Sequence, residues 1–269
     1  MKSQEEQWLL AEKYGGVKTA EFYADCKALA LGTPLGYLIG QVPFLDCTIW
    51  LDAQPLVPRV ETEYWVEQAI TAIKERQTVQ PVLSAGEGQS AAVQLTDPHP
   101  TTSILDLCAG SGCIGVAVAK ALPTVQVDFV ELSVQLIPTI NKNCLENHIE
   151  QSRCRIYHSN LFAGIPTDAR YDFILSNPPY IDPAVDRATE SVKSHEPHLA
   201  LYGGIDGLEI IEQIIATAKD HLTPTGQLWI EHEPEQVNHI NKLAADSGFN
   251  CTSHADQYGV LRYSILVVQ

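Results

Sequence analysis

Ile104-Leu-Asp106-Leu-Cys108-Ala109-Gly110-Ser111-Gly112-Cys-Ile-Gly115 reads as an apolar strand, a loop of small residues and the start of a helix. Glycines let such a loop turn tightly and bring its backbone close to a ligand. The helix behind it offers free N–H groups and a partial positive charge. About 20 residues further on, Val125-Gln-Val-Asp-Phe-Val-Glu131 reads as a second strand ending on a carboxylate, the position that accepts two ribose hydroxyls. Strand, glycine loop, helix, strand and acid together predict a nucleoside cofactor held by residues 108–112 and Glu131.

From Ser103 onward the strand and helix signals alternate. Strands are predicted at 104–108, 125–131, 154–158, 171–176, 226–231 and near 261–268, with helices at 112–122, 134–147, 207–221 and 234–247. Such alternation predicts an α/β fold, a doubly wound and mostly parallel sheet that binds ligands at the carboxyl ends of its strands. Asp106 lies at the end of the first of these. A carboxylate beside a pyrophosphate is repelled, whereas beside a sulfonium and its amino group it is attracted, which favours S-adenosylmethionine over a dinucleotide. The dinucleotide fingerprint is also incomplete, since Cys108 stands where its first glycine belongs. Asn160 and Leu161, after the third strand, are placed to reach the adenine amino group and ring.

The run Tyr171-Asp-Phe-Ile-Leu-Ser176 is stopped by Asn177-Pro178-Pro179-Tyr180. Two prolines end a strand abruptly, lack N–H groups and push the residues before them toward extended conformations. A carboxamide, stiff carbonyls and a phenol at a strand's carboxyl end suit a grip on a planar group bearing N–H₂. Asn177, Pro178 and Tyr180 are therefore the candidate catalytic residues, with Pro179 beside them.

Ahead of Ser103 the chain reads differently. Residues 1–32 predict two short helices, the second starting at Thr19 as N-cap. Residues 33–75 predict a β-hairpin across 36–51 and a connecting helix through Trp65, Ala69 and Ile73. Residues 76–102, rich in Gln, Ser, Gly, Pro and Thr, predict a flexible linker or insertion before the main domain at 103–269.

Composition bounds the function. The 269 residues are 45% hydrophobic and 19% charged, ordinary for a globular chain. The opening Met1-Lys-Ser-Gln-Glu-Glu6 lacks a basic-then-apolar layout and no apolar run reaches membrane-spanning length, so a soluble cytoplasmic protein is expected. Seven cysteines without a Cys-x-x-Cys pair point to free thiols, and no metal site is expected. With 17 basic and 33 acidic residues the net charge is −16, which disfavours stable nucleic-acid binding and suits a basic protein partner.

Several stretches resemble one family. The glycine loop, Glu131, Asn160-Leu-Phe162 and Asn177-Pro-Pro-Tyr180 are similar to class I methyltransferases that modify a planar nitrogen. Gly36-Tyr-Leu-Ile-Gly40, Leu56-Val-Pro-Arg59-Val60-Glu61-Thr-Glu63 and Glu196-Pro-His-Leu-Ala-Leu-Tyr-Gly203-Gly-Ile-Asp206-Gly207 resemble the bacterial peptide chain release factor glutamine methyltransferases, in that family's order. The resemblance implies a class I fold with a seven-stranded sheet, S-adenosylmethionine as methyl donor and S-adenosylhomocysteine as product. Its implied substrate is the glutamine amide of the Gly-Gly-Gln motif in class I release factors. Under it the cofactor contacts are Asp106, Cys108, Ala109, Gly110, Ser111, Gly112, Glu131, Asn160, Leu161 and Asn177. The substrate contacts are Asn177, Pro178, Pro179, Tyr180, Arg59 and Glu61. Three departures stand out: the family has Pro at Val60, Gly at Cys108 and Asp at Asn160. A nucleic-acid methyltransferase acting on exocyclic amines and a non-catalytic cofactor-binding scaffold are the competing readings.

Overall fold

The computed structural model describes residues 3–79, 101–185 and 189–269. Ser3 and Thr19 each accept a backbone N–H at 3.2 Å, capping α1 (Gln4–Glu12) and α2 (Ala20–Ala30). Leu9 and Phe22 are buried where the two meet α3 (Leu35–Ile39). That third helix corrects the hairpin predicted across 36–51, whose first residues are helical. Pro34 opens the turn at φ −56° and Gly40 closes it at φ +92°, so the chain coils between them. The hairpin itself is β1 (Gln41–Phe44) against β2 (Cys47–Trp50).

Next comes α4 (Val60–Val79), longer than expected: residues 76–79, assigned to the linker, are helical. The helix continues because its last turn has partners on the main sheet. Arg76 donates to Thr225 O at 2.7 Å and to Asp172 Oδ1 at 3.2 Å, and Gln77 donates to Thr102 Oγ1 at 3.1 Å. The rest of the expected linker, apart from residues 101 and 102, lies outside the described residues. Val60, where the family has proline, is the exposed first residue of α4, a position proline suits but does not require.

The main domain alternates as expected: β3 (Ser103–Leu107), α5 (Cys113–Ala121), β4 (Gln126–Glu131), α6 (Ile137–Glu146), β5 (Cys154–His158) and β6 (Tyr171–Ser176). It continues through α7 (Glu190–His195), α8 (Glu209–Ala218), β7 (Leu222–Glu231), α9 (Val237–Asp246), β8 (Phe249–Ala255) and β9 (Leu261–Val268). The sheet runs β5-β4-β3-β6-β7-β9-β8, parallel except for β9. Strand β8 was not among the predicted strands: it is an edge strand, and Asn250-Cys-Thr-Ser-His254 lacks the apolar run that marks a buried one.

Alternation along each strand divides the core. Ile104, Phe129, Phe173 and Leu175 face α4, α5 and α6, while Leu105, Ile174 and Ile230 face α8 and α9. The hairpin rests on the first of these layers. Two asparagines one turn apart, Asn143 on α6 and Asn147 at its C-cap, close its outer edge. Asn147 accepts Thr48 N–H at 3.1 Å and donates to Thr48 O at 2.8 Å, and Asn143 does the same for Trp50 at 2.7 and 3.0 Å. Asn143 also donates to Ser111 O at 2.8 Å, which joins the hairpin to the glycine loop. Strand order reverses at β3, between β4 and β6, and ligands of such sheets bind at that point.

Candidate active site

The loop leaving β3 takes left-handed conformations at Cys108, Gly110 and Gly112, with φ of 63°, 56° and 78°. It is pinned by Ala109 N–H donating to Val130 O at 2.9 Å and Gly112 N–H to Ala109 O at 2.7 Å. The φ at Cys108 explains why glycine is the family's residue there: a Cβ in that region costs about 1–2 kcal/mol. Burial and the nearby Glu131 push the Cys108 thiol up to about 12, so it stays neutral beside the ligand cleft. Cys108→Gly is expected to be stable to within about 1 kcal/mol of the parent, because relief of strain offsets the added freedom of the unfolded chain. Cys108→Val, with its β-branch in the same conformation, is expected to lower the unfolding temperature; thermal unfolding of both variants tests the pair.

The cleft above this loop is lined by Cys108, Ala109, Gly110, Ser111, Glu131, Asn160, Leu161 and Asn177, as the sequence predicts. Glu131, at the end of β4, accepts Gly110 N–H and Ser133 N–H, both at 2.7 Å, which aims its carboxylate along the cleft. Burial raises its pKa, against the N–H groups that hold its charge. Leu161 sits at φ 47° with its carbonyl accepting from Ser159 Oγ at 3.0 Å, and presents an apolar wall beside exposed Asn160. Leu132 and Leu136 extend that wall and were not read from the sequence. A fixed carboxylate, a backbone-faced loop and an apolar slot form a donor set that fits a nucleoside. S-adenosylmethionine therefore fits here.

Two expected contacts do not line the cleft. Gly112 turns away to cap α5. Asp106 is wholly buried behind the loop, where its Oδ2 accepts Gly115 N–H at 2.8 Å and its Oδ1 has no hydrogen-bond partner among the described residues. Burial pushes its carboxyl up to about 8, favouring the neutral acid at pH 7. A strand's alternate residues face opposite ways, and this one faces the helix. The charge expected beside the cofactor is not on the cleft wall.

Asn177, at the end of β6, lines both this cleft and a second cavity of about 730 Å³. Pro179 lines the first, and Pro178 and Tyr180 line the second. Behind them sits Glu231, 1% exposed, the last residue of β7. Its Oε2 accepts Thr62 Oγ1–H at 2.7 Å and Trp65 Nε1–H at 2.6 Å, and its Oε1 accepts the Tyr180 hydroxyl at 2.9 Å. Asn177 Nδ2 in turn donates to Thr62 Oγ1 at 3.0 Å. Burial raises the pKa of Glu231, opposed by these three donors, and raises that of Tyr180 further. Tyr180, expected to lie on the substrate, is thus also anchored by its hydroxyl. Neither Thr62 nor Glu231 was among the predicted site residues, although each lies in a stretch the sequence singles out.

Glu61 lines the second cavity, and Arg59 lines both. The Arg59 guanidinium is already engaged: Nη2 donates to both oxygens of buried Glu196 at 2.7 and 2.8 Å, and Val57 N–H joins at 3.2 Å. Arg59 therefore clamps the 55–59 loop to the segment after α7. Glu63 faces the hairpin, accepting Leu45 N–H at 2.5 Å. Among the described residues no cluster of His, Cys, Asp and Glu could hold a metal ion, and no helix is long and apolar enough to cross a membrane.

Comparison with known proteins agrees with this geometry. Residues 87–255 match the model of the methyltransferase small domain. The chain is 36% identical over 218 residues to a release factor glutamine methyltransferase of Rhodopirellula baltica, covering 81% of this chain and 67% of that one. It is 32% identical over 248 residues to that of Geobacter sulfurreducens, covering 90% and 77%. A ribosomal protein uL3 glutamine methyltransferase of Bordetella pertussis is 37% identical over 198 residues, 74% of this chain and 59% of that one. The N-terminal domain of human METTL16 in complex with SAH superimposes with a TM-score of 0.54 at 15% identity, covering 99% of this chain and 95% of that one. With the cleft, the sheet order and the family motifs in place, the chain belongs to the release factor glutamine methyltransferase family of S-adenosylmethionine-dependent class I methyltransferases.

Proposed function

We propose that this enzyme methylates the side-chain amide nitrogen of the glutamine in the Gly-Gly-Gln motif of class I peptide chain release factors. The observation that carries the reading is Asn177, which lines both the nucleoside cleft and the second cavity and so stands where a donor and an acceptor would meet. The cofactor, when bound, supplies a methyl group on a sulfonium sulfur and leaves as the neutral thioether S-adenosylhomocysteine. A glutamine nitrogen is a weak nucleophile, because its lone pair is delocalised into the carbonyl. Asn177 Oδ1 and the Pro178 carbonyl accept the two amide hydrogens, fixing the nitrogen in line and placing partial negative charge beside it as it becomes positive. The N–H proton is lost to water after transfer, so no strong base is required. Tyr180 closes the side of the acceptor cavity.

Charge supports a protein acceptor. The cavity beyond Asn177 is walled by Glu61, Asp182, Asp206, Glu231, Glu233 and Glu235 against Arg59 and Arg262. Both arginines are themselves paired, Arg59 with Glu196 and Arg262 with Glu233 and Asp256, and this acidic excess suits a basic loop over a polyphosphate. Relatives named for ribosomal protein uL3 make that protein the second candidate acceptor. The test is methyl transfer from labelled S-adenosylmethionine to a purified release factor, its Gly-Gly-Gln→Gly-Gly-Ala variant, uL3, and bulk RNA and DNA. Label on the unaltered release factor alone is expected. Label on uL3 alone would reassign the acceptor, label on nucleic acid would overturn the protein reading, and no label despite cofactor binding would indicate a scaffold.

A further inference from the structure

A carboxamide can grip an amide N–H only with its oxygen end, yet its two ends have nearly the same shape. The last side-chain torsion of asparagine is broad and roughly two-fold, so little within the residue itself selects one orientation. With the ends exchanged, Asn177 would point N–H₂ at the N–H₂ it is meant to hold, and the contact would turn repulsive. Something outside Asn177 has to choose.

The choice is traceable atom by atom. Trp65 Nε1 can only donate, because the indole N–H has no lone pair to offer. The Glu231 Oε2 that it meets at 2.6 Å therefore accepts, and three donors converging on this carboxyl group favour its charged, acceptor-only form against its burial. The Thr62 hydroxyl lies 2.7 Å from the same oxygen and has a single proton, which must go there. Thr62 Oγ1 is then left only with lone pairs for its contact with Asn177 at 3.0 Å. Nδ2 is the only atom of the carboxamide that can donate to it. Oδ1 is thus turned away from Thr62. The chain is shielded from bulk water, with Thr62 2% exposed, Trp65 0% and Glu231 1%, although Thr62 borders the nucleoside cleft and Glu231 the second cavity.

We propose that Trp65, Glu231 and Thr62 form a one-way hydrogen-bond chain in which Thr62 is the positioning residue that holds the oxygen of Asn177 toward the acceptor amide. This rests on the reading of Asn177 as the acceptor's grip. Geometry, rather than acid–base chemistry, is its contribution: none of the three need gain or lose a proton during turnover. The chain spans two stretches far apart in sequence, α4 and the end of β7, and it reaches Asn177 with Thr62 on the nucleoside cleft and Glu231 on the second cavity.

The experiment compares Thr62→Val, Thr62→Ser and Asn177→Ala in steady-state methyl transfer to a glutamine-bearing acceptor, with thermal unfolding recorded for each. Valine keeps the shape of threonine and removes the hydroxyl; serine keeps the hydroxyl and leaves a small void. The expected result is a kcat for Thr62→Val lowered about 10- to 100-fold, with KM for S-adenosylmethionine within about two-fold of the parent, because the reacting nitrogen is misplaced but the cofactor is not. Thr62→Ser is expected to recover most of that loss. A packing role would give the reverse order, since serine opens a void and valine does not, and that order would overturn the proposal. So would a Thr62→Val enzyme with parental kcat while Asn177→Ala is impaired. If Asn177→Ala itself retains turnover, the reading of Asn177 fails first and the chain has nothing to orient.

Discussion

Asn177→Ala is expected to lower kcat by roughly 10²–10³-fold, the usual cost of deleting one preorganised polar group at a site of developing charge. The same substitution should leave the dissociation constant for S-adenosylmethionine within a few-fold of the parent. The asymmetry follows from placement. Asn177 is one of many residues along the nucleoside cleft, where Glu131 and the loop backbone remain. In the second cavity, under the proposed function, it is the carboxamide that grips the reacting nitrogen. Isothermal titration with the cofactor, set beside single-turnover methyl transfer, separates the two effects. Equal losses in both measurements would make Asn177 a cofactor ligand and leave the acceptor without a named grip.

The largest expected effect on stability is at Gly207. Its φ is +68°, and a Cβ there would lie 1.9 Å from the carbonyl oxygen of Tyr180 and 2.6 Å from Gln236 Nε2. Gln236 is the bolt of this corner, donating to the carbonyls of Tyr180, Asp206 and Gly207 at 2.9, 3.0 and 3.2 Å. Gly207→Ala combines a left-handed penalty of about 1–2 kcal/mol with overpacking of about 1–3 kcal/mol against backbone that cannot swing aside. A loss of about 3 kcal/mol or more is expected in urea unfolding, a large share of a typical domain's stability. Gly259 supplies the control: its φ is +79°, but a Cβ there meets nothing within 4 Å. Gly259→Ala should cost only the conformational part, about 1 kcal/mol. Similar losses at the two sites would remove the steric argument.

What the sequence reveals depends on how far apart the interacting residues lie. The glycine loop, Glu131 and Asn177-Pro-Pro-Tyr180 are local patterns at strand ends, so their places are legible from spacing. Residues 108–111, Glu131, Asn177 and Pro179 line the cleft, and Pro178 and Tyr180 line the cavity beside it. Thr62 and Glu231 act through one contact across 169 residues, for which no local pattern exists. Asp106 was misplaced for a different reason. Its position along the strand is legible, but the direction of its side chain depends on where α5 packs. Its charge points to S-adenosylmethionine, the cofactor the family uses, but the buried carboxyl itself is not on the cleft wall. Short helix α3 was hidden by β-forming side chains between a proline and a glycine.

The asparagine pair at the end of α6 has a consequence for how this protein behaves in a concentrated solution. A two-stranded ribbon is marginal alone, and its free side is a template for another chain's backbone. Here the groups of Thr48 and Trp50 that would recruit a third strand are already occupied by carboxamides, which present no further backbone to extend. Opposite Thr48, Pro43 has no N–H to offer a neighbour either. The ribbon thus ends in side chains, and protection from intermolecular strand pairing is coupled to the same Asn143 that holds Ser111 beside the cofactor cleft.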